Sequence, residues 1–127
     1  MLNKVISTLV LLAAILFIVN GLRWLIDPAG IVDMFGLQLA TGVGLSTQIG
    51  DMSEFFFTLG TCMALGVVLK KAIWLYPAMM LLVLAATGRI IAWLVHDAAF
   101  ATSLIVPEIL IATLLLITSR QLRQGND

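Results

Sequence analysis

The chain has 127 residues, 61% of them hydrophobic and only 11% charged, and its seven basic and seven acidic side chains cancel to a formal net charge of zero. With a mean hydropathy of +1.12, this composition excludes an ordinary soluble domain, in which about a quarter of residues are charged. Zero net charge argues against nucleic acid as a partner and leaves no polybasic surface for anionic lipid, and the single cysteine, Cys62, excludes an internal disulfide or a cysteine-based metal site.

Four stretches reach the roughly 20 apolar residues that a bilayer crossing requires. The first runs from about Lys4 to Ile26 and stops at Asp27-Pro28. It is too long for the apolar region of a signal peptide, and no small-x-small cleavage site precedes Asn20-Gly21, so it is expected to stay as a helix. The only long connection follows. In PAGIVDMFGL, Pro28 suits a helix start, and Ile31, Met34 and Phe35 can share one face of a short interfacial segment. That segment is either a plain connector on the membrane surface or a lid over the end of the bundle.

The glycine-rich ATGVGLST reads as irregular loop. The second span covers about Ile49 to Leu69 and ends at Lys70-Lys71, the third about Ala72 to Val95, and the fourth about Ala99 to Ser119. Together they predict an all-α fold: one transmembrane four-helix bundle with a short interfacial segment between its first two helices. Gly60, Ala64 and Gly66 permit close helix approach. Cys62 reads as a small packing residue, and Phe55 to Phe57 with Trp24, Trp74 and Trp93 suit lipid contact and the membrane interfaces.

Lys4, Lys70, Lys71, Arg120 and Arg123 fall at one end of such a bundle. Asp27, Asp33, Asp51 and Asp97 fall at the other, with Arg23 at its edge. Basic residues stay on the cytoplasmic side, so both termini are expected there, in a bacterial inner membrane, with the acidic loops outside.

Arg89 stands inside YPAMMLLVLAATGRIIAWLV with no opposite charge along its own segment. An arginine at such depth costs about 2.5–3.5 kcal/mol on insertion scales, so a partner must come from another helix. Counting from the turns supplies two. Arg89 lies about nine residues before the Asp97-Ala98-Ala99 turn and Glu108 about nine after it, each roughly 13 Å along its helix. Counting back from Lys70-Lys71 brings Glu54 within about one turn of the same level. Ala85, Ala92, Trp93 and His96 share the face of Arg89; Asp51, Thr58 and Thr61 share that of Glu54; Ala101, Leu104 and Ala112 share that of Glu108. Pro107 has no N–H to give the Ser103 carbonyl. Asn20, Arg23 and Asp27 form a polar stripe at the outer end of the first span.

The candidate cluster is therefore Arg89, Glu108, Glu54, Arg23, Asn20 and His96, with no metal site, since one histidine and a distant cysteine make too small a ligand set. It supports two readings. In one, Arg89 and Glu108, helped by Glu54, form an ion pair that fixes helix register. In the other, the small alanines leave a cavity in which Arg89 grips an anionic or carbonyl group of a lipid-like or quinone-like molecule. His96 is either an interfacial group or a proton donor above Arg89. A homo-oligomer or a role as subunit of a membrane complex is compatible with either. An enzyme acting on an isoprenoid or quinone would use Glu108 or Glu54 to move a proton and Arg89 to stabilise negative charge.

The chain resembles a bacterial family of small four-helix membrane proteins of unknown function, itself similar to the DoxX-like group. The resemblance rests on Gly21-Leu22, Pro28, Phe35-Gly36-Leu37, the helix from Glu54 to Gly66, Gly88-Arg89 and Glu108. An acidic-glycine turn often follows the arginine helix in such proteins, and Asp97-Ala98 departs from it here. The resemblance implies a four-helix membrane bundle with no established activity. DoxX-like relatives include subunits linked to quinone-dependent oxidation of sulfur compounds, which implies by analogy an association with quinone or lipid; no cofactor is otherwise expected.

Overall fold

In the computed structural model, which describes residues 3–125, the chain is an all-α bundle of four long helices. Asn3 caps the first by accepting from the Val5 N–H at 2.8 Å, and α1 runs Lys4–Ile26. Asp27 then ends α1 and caps the next turn, its carboxylate accepting from the Gly30 N–H at 3.2 Å. With Pro28 at the first position, this starts the short α2, Pro28–Ile31. A 3-10 turn, Val32–Phe35, closes on Gly36, whose φ of 68° is left-handed.

The structure differs from the sequence reading at three boundaries. The second long helix, α3, runs Gly42–Val68, so the glycine-rich stretch expected to be loop is helical. Gln48 explains this. Its amide donates to the Gln38 carbonyl at 3.0 Å and accepts from the Ala40 N–H at 3.1 Å, clamping the preceding chain onto the first turns of α3. A third helix preceded by a 3-10 turn at Ala72–Trp74 forms α4, Leu75–Val95. The last, α5, spans Thr102–Gly125 instead of about 99 to 119. At its start, Asp97 takes a left-handed φ of 61° and Phe100 packs edge-on against Trp93, so the chain stays irregular until Thr102. At its end no breaker follows Ser119, and the helix continues into polar sequence where apolar sequence stops.

Spans Lys4–Ile26, Gly42–Val68, Ala72–Val95 and Thr102–Gly125 are each long and apolar enough to cross a membrane, and most of their large apolar side chains lie on the outside of the bundle. α1 packs most extensively on α3 and α4 on α5, and the two pairs meet mainly along α3 and α4. Gly60 makes the first crossing: a Cβ there would lie 2.6 Å from the Ala14 carbonyl oxygen. Gly66 instead makes room for the Leu75 side chain. The Asn3 N–H donates to the Gln121 side chain at 3.2 Å, so α1 and α5 begin and end together.

Two clusters fill the interior. Val10, Ala14, Met63, Leu75, Ala78 and Leu115, all fully buried, pack the half nearer the termini, with Cys62 among them. At the other end Trp24, Ile31, Val32 and Phe56 form a smaller one, extended by Phe35, whose ring centre is 5.3 Å from that of Phe56. Two expectations change here. Trp24 and Phe56 are core residues, not lipid-facing ones, because α2 folds down onto them. For the same reason the α1–α3 connection is docked into the bundle and does not lie as a plain connector on its surface.

Candidate functional site

Between these two clusters, and sharing walls with both, lies a cavity of about 480 Å³. That volume falls within the range of small-molecule pockets. All four long helices contribute, and Met34 and Phe35 of the 3-10 turn complete the lining. Most of the wall is apolar, with Phe17, Phe55, Leu59, Leu82, Leu104 and Ile111 prominent. Five polar side chains interrupt it: Asn20, Asp51, Arg89, Ser103 and Glu108.

Arg89 and Glu108 meet in that wall. Arg89 Nε donates to Glu108 Oε1 at 3.0 Å, with the arginine side chain 33% exposed and the glutamate 11%. The contact is single. Among the described residues Nη1 and Nη2 have no partner, so the bidentate fork that makes arginine–carboxylate pairs strong is not formed. Ala85, one turn before Arg89 on α4, leaves the space beside the guanidinium. On α5, Pro107 and Ser103 both line the cavity, and the proline withholds the amide that would otherwise occupy the Ser103 carbonyl. The Asn20, Asp51 and Ser103 side chains also make no hydrogen bond to a cavity neighbour among the described residues.

The remaining expected members are elsewhere. Glu54 is exposed on the outside of α3, together with Thr58 and Thr61, and makes no ion pair among the described residues. It is near the right level but on the wrong side: cavity-facing residues of α3 are Asp51, Met52, Phe55, Phe56 and Leu59, and Glu54 points away from that face. Arg23 donates to the Gly30 carbonyl at 2.9 Å and approaches Met34 sulfur at 3.9 Å, so it ties down α2 and the 3-10 turn whose Met34 and Phe35 line the cavity. His96 is exposed where α4 ends and is not part of the wall. Asp51 and Ser103 enter in their place. Ser103 had a sequence signal, as the residue whose carbonyl Pro107 deprives, whereas the spacing of Asp51 from Glu54 pointed it to the outer face.

Among the described residues no three His, Cys, Asp or Glu side chains gather as a metal site would require. The arrangement can hold a polar group by donors from Arg89 and acceptors from Asp51, Asn20 and Ser103, inside an otherwise apolar box. No family model, curated protein or solved structure matches the chain.

Proposed function

We propose that this protein binds, without transforming it, a lipid-like or quinone-like molecule in the central cavity, as a multi-pass protein of a bacterial inner membrane with both termini in the cytoplasm. The observation that carries the reading is the half-used guanidinium of Arg89 in the wall of a roomy apolar cavity. A pair serving only helix register has no need of adjacent space, and its remaining donors would be better used on the protein. The basic residues Lys4, Lys70, Lys71, Arg120 and Arg123, gathered at the end holding the termini, support the orientation. The resemblance to the DoxX-like group, with its quinone-linked subunits, points the same way.

Native mass spectrometry of gently extracted protein tests this. The wild type is expected to carry a stoichiometric apolar adduct. Ala85→Phe, which fills the cavity and leaves the ion pair in place, should remove it. Exchanging the pair, Arg89→Glu with Glu108→Arg, should restore folding but not the adduct. A wild type without adduct, or an adduct indifferent to Ala85→Phe, overturns the reading.

Exposed Glu54 favours a second, compatible role as part of an assembly. A carboxylate facing outward from a membrane span is costly unless something covers it. A second copy of the chain is the simplest cover. Oxidation of a Thr58→Cys variant in native membranes should then give a covalent dimer, and a purely monomeric product would remove this role.

A further inference from the structure

A second hollow of about 440 Å³ runs between α4 and α5 on the other side of the ion pair. Glu108 and Leu82 line both hollows, so the two adjoin at these residues. The two differ in chemistry. The groove is walled by Met79, Val83, Ile109, Ala112 and Leu116. The protons of its two hydroxyls are already committed, Thr87 to the Val83 carbonyl at 2.7 Å and Thr113 to the Ile109 carbonyl at 2.9 Å. In the cavity, by contrast, the polar side chains of Asn20, Asp51 and Arg89 retain unused hydrogen-bonding atoms. One space suits a polar head and the adjoining one an alkyl chain.

Charge narrows the head further. Glu108 already balances Arg89, and Asp51 adds a second carboxylate to the same wall. Asp51 is exposed and Arg89 partly so, but an anionic head would still bring a third negative charge beside the one positive charge of this wall, and like charges at such range repel. A neutral head with a carbonyl or ether oxygen for Arg89 Nη1 and Nη2, and hydroxyls for Asp51 and the Ser103 carbonyl, leaves the balance intact.

Resting on the proposed function, we infer that the ligand is a neutral single-chain amphiphile whose head occupies the central cavity and whose chain passes Glu108 and Leu82 into the α4–α5 groove. The probe is a monoacylglycerol with a hexadecanoyl chain bearing a mid-chain diazirine, and its control is the free fatty acid carrying the same chain. Each is photolysed with the full-length protein in phosphatidylcholine nanodiscs. Adducts of the monoacylglycerol are expected on Met79, Val83 or Leu116, at a yield at least about tenfold above the fatty acid, the factor that corresponds to about 1.4 kcal/mol. Ala112→Phe should abolish them by closing the groove. Thr113→Trp, at its exposed rim, should do so even if Ala112→Phe folds poorly.

Adducts confined to cavity residues such as Phe17 and Leu59 would overturn the chain placement while leaving the cavity as a binding site. Equal labelling by the fatty acid would overturn the neutral head. Adducts spread over the outward faces of all four long helices, unaffected by both groove variants, would show bulk lipid contact and overturn the inference. The proposed function fails separately, by indifference of the native adduct to Ala85→Phe.

Discussion

The half of the bundle nearer the termini and the half nearer the α1–α3 connection are built from the same four helices to opposite ends. In the first, Gly60 lets two backbones meet and Gly66 seats the Leu75 side chain, and Leu75, Met63 and Leu115 close the interior with no accessible surface. In the second, aromatic rings and Ala85 surround a hollow, and charged groups line it. Without a hydrophobic drive between helices in lipid, close packing is what holds such a bundle together. The packed half therefore carries stability, and the hollow half is free to carry a ligand.

Substitutions on either side can break that division. The largest effect is expected at the one place where the hollow half is also structural. Glu108→Ala strands Arg89 and should cost about 3 kcal/mol, the lower end for a broken buried pair because the guanidinium is 33% exposed. In the packed half, Leu75→Ala should cost about 2 kcal/mol, since the cavity penalty remains but the transfer of apolar surface from water is largely absent in lipid. Gly60→Ala pushes a methyl at the Ala14 carbonyl and should cost about 1–2 kcal/mol. Ala85→Phe, a far larger addition in the hollow half, should change stability by less than about 1 kcal/mol. Glu54→Gln, on the outer face, should stay within about 0.5 kcal/mol for the single chain. Unfolding in mixed micelles by detergent titration reads all five. If Ala85→Phe proves as costly as Gly60→Ala, the two halves are not different.

Two glutamates show how far the sequence could be read. Counting residues from the turns put Glu108 and Glu54 near the level of Arg89, because rise per residue is fixed by the helix. One pairs with Arg89 and the other faces outward. Level is a property of one helix, whereas facing depends on where its neighbours stand, and that in turn on packing contacts such as Gly60 against Ala14. The four long helices were legible for the same reason that Glu108 was: apolar length and charge spacing are local. The start of α3 was not, since Gln48 reaches back across ten residues to hold the chain at Gln38. Nor was the burial of Trp24, which follows from α2 folding onto it. Arg23, grouped by its position with the cluster, is instead committed to the Gly30 carbonyl.

The contact of Gly60 with Ala14 also bears on how the protein is made. α1 and α3 are the first two long helices in the order of synthesis, and their pairing is the most extensive in the bundle. That hairpin can zip together in the bilayer while the ribosome is still extending the chain. When α4 arrives with Arg89, it meets a finished wall, and its charge stays unpartnered until Glu108 emerges nineteen residues later. If the helices enter a bilayer in this order, the insertion machinery has one lone arginine to shelter until then.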